Sequence, residues 1–243
     1  MTSQEQPKLF HYLALFAKSP SVGSSKTRLI PRLGPHGSAL FALAALTDTL
    51  HLFSALPIHK TLFYTPSTAR PALLSLLRSE SLTSWEIQPQ IHSPDLGSRL
   101  AAALEHSRTR TTFAGTVAFI AMDCFELTPS HIERSIAMAS TGTPYMLPAS
   151  DGGYVLLTLP PTCPPTVFDR ISWSCDQTAR LQIERLEEAG LGCTVGESLS
   201  DVDEPADLDQ LWAGRTTKVL MYPRTVRYLE AVMTEESSTV GTI

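Results

Sequence analysis

Residues 116–122 read Thr-Val-Ala-Phe-Ile-Ala-Met, an apolar run with no polar residue inside it, and Asp123 ends it. A strand with one face in water alternates apolar and polar side chains. A strand that does not alternate needs cover on both faces. Helices on both sides of a mostly parallel sheet supply that cover. Residues 12–17, Tyr-Leu-Ala-Leu-Phe-Ala, make the same demand. The run 116–122 is therefore expected as a central strand of a three-layer αβα sandwich.

The rest of the chain fits that class. Residues 37–56 read as a strongly apolar helix packed on the sheet, 60–64 as a short strand and 71–78 as a helix. The more polar stretch 85–90 reads as an edge strand. Asp95 suits the cap of a helix reaching to 106, and Thr128-Pro129 opens another, to about 139. Strands are expected at 145–149, 155–159 and 193–195. A helix at 176–189 has Ser174 as its cap and Gly190 as its stop. The last strong helix starts within 201–208 and reaches about 212. No linker or repeat interrupts residues 9–213, which read as one domain. Residues 1–8 are expected to be a disordered lead. Residues 214–243 are a C-terminal extension with a helix at 225–233 and a disordered end at 235–243.

A net charge of −5 excludes bulk attraction to nucleic acid or an anionic membrane, so any anion site must be local. The first eight residues lack the apolar core of a signal peptide. The most apolar stretch, 39–56, is interrupted by Thr47, Asp48, Thr49 and His51, and no membrane span is expected. Cys124, Cys163, Cys175 and Cys193 have no zinc-site spacing. Free thiols point to a reducing compartment, and a cytoplasmic protein is expected.

The loop from Lys18 to Arg28 carries two breakers of regular structure, Pro20 and Gly23, and three cations, Lys18, Lys26 and Arg28. A strand, a small-residue loop with cations and a helix form a phosphate cradle. Loop amides and a helix N-terminus favour an anion, and the cations add full charge. The rival reading is a polar surface turn. A Walker A loop is ruled out, because it needs glycine where Pro20 and Ser25 stand. As cations of a loop broken by Gly and Pro, Lys26 and Arg28 should matter for nucleotide binding and hardly for stability.

In an open α/β sheet, ligands bind beyond the carboxyl ends of the strands. Asp123, Asp151 and Asp203 each follow an expected strand, as the cationic loop does. Singly, such aspartates are often turn formers or helix caps, and Asp203 just ahead of Pro205 suits a cap. Together they suit a nucleotide phosphate with Mg²⁺ between it and the carboxylates. Asp151-Gly152-Gly153 reads as a tight hairpin turn that also permits close approach to a ligand. Arg99, near a helix start, faces either a ligand or solvent.

Several segments, in order, resemble the rSAM/selenodomain-associated transferase family. They are Phe16-Ala17-Lys18-x-Pro20-x-x-Gly23-x-x-Lys26-Thr27-Arg28-Leu29, Asp95-Leu96-Gly97-x-Arg99, Asp123-Cys124, Asp151-Gly152-Gly153-Tyr154, Trp173-Ser174 and Asp201-x-Asp203-x-Pro205-x-Asp207-Leu208. Members of that family are described as glycosyltransferases, some linked by name to arsenosugar biosynthesis. They belong to the nucleotide-diphospho-sugar transferase (GT-A) superfamily. The resemblance spans about residues 10–212. It implies a Rossmann-like GT-A fold with a mostly parallel mixed sheet. Lys18, Gly23, Lys26, Thr27, Arg28 and Arg99 would bind the nucleotide. Asp123 and Asp203 would hold Mg²⁺ or Mn²⁺, and Gly152, Gly153 and Tyr154 would line the acceptor or sugar side. Three positions depart from the family pattern: Ala121-Met122 replaces Gly-Ser, Phe125 replaces Pro, and Cys175 replaces Thr. Met122 and Phe125, being bulkier, are expected to narrow the pocket.

The leading expectation is a metal-dependent glycosyltransferase that uses a nucleotide-diphospho-sugar donor and a small-molecule acceptor. Asp151 would act as base, and Lys26 and Arg28 would share the charge of the leaving diphosphate. The alternative is a nucleotidyltransferase that uses a nucleoside triphosphate and releases pyrophosphate. A third reading, a non-catalytic nucleotide-binding protein, is motivated by the departures around Asp123. Base, sugar, acceptor and oligomeric state do not follow from the sequence.

Overall fold

The computed structural model describes residues 11–110 and 115–239. Its strands are β1 (Tyr12–Lys18), β2 (His59–Thr65), β3 (Trp85–Pro89), β4 (Val117–Ala121), β5 (Tyr145–Pro148), β6 (Tyr154–Leu159) and β7 (Thr194–Val195). They form one sheet in the order β3-β2-β1-β4-β6-β5-β7. Every neighbouring pair is parallel except those of β6, which runs antiparallel to both β4 and β5. The central strand and the edge strand lie where the residue patterns place them.

The longer helices are α1 (Ile30–Ser54), α2 (Arg70–Ser79), α3 (Leu96–Arg110), α4 (Pro129–Ala139), α5 (Thr178–Glu188) and α6 (Pro205–Ala213), followed by a short α7 (Arg215–Lys218) and then α8 (Pro223–Thr239). Alternation along β1 explains its unbroken apolar run. Leu13, Leu15 and Ala17 enter a core shared with α1, α2 and α4. Tyr12, Ala14 and Phe16 turn the other way, into a core shared with α3 and α5. β4 divides likewise, Ala118 and Ile120 to the first core and Val117 and Phe119 to the second. The result is a three-layer Rossmann-like αβα sandwich.

From β1 the chain steps outward to β2 and β3, then returns to lay β4 on the opposite side of β1. The gap between the carboxyl ends of β1 and β4 is therefore the point where the winding reverses, the usual ligand crevice of such sheets.

Three local expectations are corrected by these elements. The first helix starts at Ile30, not 37, with a break at Gly34 (φ +68°) just before Pro35. Thr27–Ser54, with its lead-in turn, is long and apolar enough to cross a bilayer by length and composition, contrary to the reading that no stretch is. In the fold it is a core helix. Leu46 and Leu50 face the sheet, while Phe41 and Ala45 face α6 and α8. Ser174 does not cap α5. It sits at φ +59°, and the helix opens at Thr178, whose hydroxyl donates back to the carbonyls of Ser172 (3.1 Å) and Cys175 (2.9 Å).

The chain beyond 213 packs onto the same body. Tyr222, Leu229 and Met233 are buried against Phe41 and Phe125. Of the stretch 235–243 expected to lack order, 235–239 continue α8. Residues 240–243, and the lead at 1–8, lie outside the described residues.

Candidate active site

Phe16 of β1 pairs with Ala121 of β4. Two residues further on, Lys18 and Asp123 stand at the same sheet edge. The backbone N–H of Val202 donates to the Asp123 carbonyl (3.0 Å). That single bond brings the Asp201–Asp203 segment beside the end of β4. The cationic loop folds over both. Serine hydroxyls brace it from within: Ser25 Oγ accepts from the Ser21 N–H (3.0 Å) and donates to the Ser21 carbonyl (3.0 Å). Gly23 lies at its tip with φ +73°.

At the loop's end Lys26 adopts a left-handed backbone (φ +46°) and turns its side chain inward. Only 6% of that side chain is exposed. Its Nζ donates to Asp123 Oδ2 (2.7 Å), Asp203 Oδ1 (2.7 Å) and the Val202 carbonyl (2.6 Å). Arg28 reaches Asp203 Oδ2 at 3.4 Å from a largely exposed position. Lys18 is exposed at the crevice wall, as is Thr27. The crevice holds about 250 Å³ and has Met122 in its lining.

Burial alone would lower the Lys26 pKa, but Asp123 and Asp203 outweigh it and raise the value, so the side chain carries its charge. Burial likewise opposes ionisation of Asp203, and the Lys26 ammonium overcomes it to hold that carboxyl below its ordinary value. Asp201 has no such cation. Burial first, then Asp123, Asp151 and Asp203, push it up to about 6. The same interactions place all four carboxylates in one electrostatic neighbourhood. In the sequence Asp201 stands only as part of a motif, with no role of its own. The available signal was a second acidic residue, two positions before Asp203, in a segment already singled out.

Three oxygens thus converge on one cation. Two carboxylates and a carbonyl are the hard donors that Mg²⁺ or Mn²⁺ takes, so the residue types fit such an ion, and Lys26 Nζ stands where they meet. No group of three His, Cys, Asp or Glu side chains forms a ready metal cage among the described residues. Phosphate oxygens and water would have to complete the shell, as is usual for Mg²⁺. Asp203 is no helix cap. Asp207 Oδ2 does that work at α6, accepting the backbone N–H groups of Asp203 (3.0 Å) and Glu204 (2.7 Å).

Next to the polar crevice lies a pocket of about 210 Å³ whose walls include Phe16, Phe119, Tyr154 and Trp173. Phe16 lines both cavities. The turn Asp151-Gly152-Gly153 joins β5 to β6, and Asp151 Oδ1 accepts the Gly153 N–H (2.8 Å). At Gly152 (φ +89°) a Cβ would lie 2.2 Å from the Asp176 carbonyl oxygen, so no side chain fits there. Gly97 is equally constrained, with the Phe168 carbonyl 2.3 Å from where a Cβ would be. Asp95 caps α3 through Oδ2, which accepts the Ser98 N–H (2.7 Å) and hydroxyl (2.8 Å).

Two expected residues lie elsewhere. Arg99 donates to Gln90 Oε1 (3.0 Å) and lines a separate small cleft with Phe63 and His106. Phe125 turns away from the crevice, its ring 4.9 Å from Tyr222 and 5.9 Å from Phe41. It therefore does not narrow the crevice. Met122 does line the crevice, and Cys175 lines the apolar pocket.

A family model described as "uncharacterized protein conserved in bacteria (DUF2064)" matches residues 49–175. No curated protein shows significant similarity to the chain. Among solved structures, a protein from Desulfovibrio desulfuricans G20, provisionally named a nucleotide-diphospho-sugar transferase, superposes with a TM-score of 0.80 at 22% identity, covering 93% of this chain and 97% of that one. A 4-diphosphocytidyl-2C-methyl-D-erythritol synthase from Anaerococcus prevotii DSM 20548 gives 0.58 at 9% identity, over 85% and 96%. A cytidylyltransferase from Leptospira borgpetersenii serovar Hardjo-bovis (strain JB197) gives 0.58 at 9%, over 94% and 96%. These likenesses show the fold.

Proposed function

The chain belongs to the DUF2064 family, and from that premise and its crevice we propose that it is a metal-dependent glycosyltransferase with a nucleotide-diphospho-sugar donor and a small-molecule acceptor. The observation that carries this reading is the convergence of Asp123, Asp203 and Lys26 between β1 and β4, flanked by the cations Lys18 and Arg28. The fold shared with nucleotide-using transferases is consistent with it.

Asp123 and Asp203 would hold Mg²⁺ or Mn²⁺, and the ion would neutralise charge developing on the leaving diphosphate. Lys18 and Arg28 bind the phosphates from the exposed side of the crevice. Lys26 keeps two carboxylates compatible with each other and presents a fixed positive charge to the same oxygens. Asp151 commits Oδ1 to its own turn, leaving Oδ2 to take a proton. In the transfer, the acceptor oxygen attacks the anomeric carbon and the bond from that carbon to the diphosphate oxygen breaks. The electron pair departs with the nucleoside diphosphate, and the acceptor proton passes to Asp151.

A second reading, nucleotidyl transfer, is favoured by one observation. Lys18 and Arg28 are both exposed at the rim beside the buried Lys26, enough cations for a triphosphate. Product analysis separates the two, since nucleotidyl transfer releases pyrophosphate and glycosyl transfer releases a nucleoside diphosphate.

The binding test is calorimetric titration of nucleoside di- and triphosphates and nucleotide-sugars, with and without Mg²⁺ or Mn²⁺. A bound ligand at a hundredfold excess over its Kd should stabilise the fold by about 2.7 kcal/mol. Asp123→Asn and Asp203→Asn should each lose the metal-dependent part of the affinity and keep the metal-free part. An unchanged metal increment in both variants would refute the metal assignment.

A further inference from the structure

Beside Asp151 lies a pocket with mostly apolar walls. Four aromatic rings and two leucines bound it: Phe16, Phe119, Tyr154, Trp173, Leu96 and Leu100. Tyr154 and Trp173 meet edge-on at 6.5 Å between centroids, and Phe16 and Phe119 lie tilted at 53° and 6.1 Å apart. These walls offer ring faces and edges to a flat apolar group. The volume, about 210 Å³, exceeds the roughly 150 Å³ at which an apolar protein cavity takes up benzene.

The polar groups in the lining are mostly committed. The Thr178 hydroxyl donates to two carbonyls. The Tyr154 hydroxyl donates to Gln182 Oε1 (3.3 Å). Asp151 Oδ1 accepts the Gly153 N–H. What remains is Asp151 Oδ2 and the exposed Ser174, both at the rim, and the buried Trp173 indole N–H, a single donor without a partner. A polyol seated here would bury several hydroxyls without partners, each at a cost in free energy. An apolar ring with one hydroxyl would bury none, provided that hydroxyl lies at the rim.

We propose that this pocket takes the acceptor, and that the acceptor is an apolar, ring-bearing alcohol whose hydroxyl lies toward Asp151 while its ring stacks among Phe119, Tyr154 and Trp173. The pocket opens beside the phosphate crevice along Phe16, so an alcohol held this way faces the donor's end of the site. The inference rests on the transferase reading above.

The probe is benzyl alcohol, titrated into the ¹⁵N-labelled full chain and followed by amide and indole N–H shifts, with glycerol and inositol as polyol controls. Benzyl alcohol should shift the Trp173 indole N–H and the amides of Gly153 and Tyr154, with a Kd at least tenfold lower than either polyol. Trp173→Ala, which opens the wall, and Ala121→Leu, which fills the pocket, should each weaken it tenfold or more while leaving nucleoside diphosphate affinity unchanged. Polyols binding as tightly as benzyl alcohol would overturn the proposal. So would shifts that bypass these residues, or wild-type affinity in both variants. Displacement of benzyl alcohol by a free nucleoside would also overturn it, by making this the base pocket. The nucleotide titrations read the transferase assignment separately, so its failure is distinguishable from failure here.

Discussion

Lys26 looks in sequence like an exposed cation of a surface loop, one whose loss would alter binding alone. Its side chain is buried and satisfies two carboxylates and a carbonyl, which makes it structural as well. Lys26→Ala should therefore destabilise the protein. Removing one partner of a fully buried ion pair costs roughly 3–5 kcal/mol. Asp203 is 42% exposed and Asp123 22%, so solvent screening reduces the expected loss to about 1–3 kcal/mol. Arg28→Ala, at an exposed position, should change stability by less than about 0.5 kcal/mol. Urea unfolding of the two variants decides this. Equal stabilities would mean that Lys26 lies in solvent after all. Adding Asp203→Asn to Lys26→Ala should recover part of the loss, because it removes one of the two carboxylates left unpaired.

Among the elements, α8 and the residue before it, Tyr222, brace the site from a distance. Phe125 packs its ring on Tyr222, and the Tyr222 hydroxyl donates to the carbonyls of Cys124 (3.2 Å) and Leu127 (2.9 Å). The C-terminal segment thus braces the loop that carries Asp123. The start of α8 is held in turn by Asp48 on α1, whose fully buried carboxylate accepts the Thr225 N–H (2.8 Å), the Thr225 hydroxyl (2.9 Å) and the Arg224 N–H (3.2 Å). Asp48→Ala would orphan these donors at roughly 1–3 kcal/mol for each buried group. The expected loss is about 2–4 kcal/mol, with faster hydrogen exchange along 223–233. A change under about 0.5 kcal/mol would show that α8 docks by its apolar face alone.

Across the whole molecule, Glu80 links three helices. At the end of α2 it pairs with His51 of α1 (2.9 Å) and with Arg224 of α8. The His51 hydrogen bond, then the Arg224 charge, hold the Glu80 carboxyl below its ordinary value of 4.5. A carboxyl with a depressed folded-state pKa stabilises the fold above its unfolded value, and the gain fades as pH falls through the folded value. Wild type should therefore exceed Glu80→Gln at neutral pH by up to about 1 kcal/mol. The gap should close as pH drops below 4.5. Urea midpoints at pH 7 and below pH 4 measure it, and a gap that persists in acid would exclude the charge as its origin.

The layering is legible in the residue pattern alone. Burial on both faces is written into the runs at 12–17 and 116–122, and helix caps such as Asp95 and Thr128 are local signals that act within a turn. The sheet edge holding the cationic loop and the aspartates follows from strand direction alone. What those groups do to one another depends on long-range packing. Lys26 meets Asp123 and Asp203 because the winding reverses between β1 and β4 and because Val202 hydrogen-bonds Asp123, a contact between residues far apart in the chain. The same long-range packing sent Phe125 toward α8 and Arg99 into another cleft, and brought Asp201 among three carboxylates. Periodicity and propensity are properties of neighbouring residues. The direction of a single side chain at a loop depends on which distant segment arrives beside it, and that is set by strand order and by competition for the buried space.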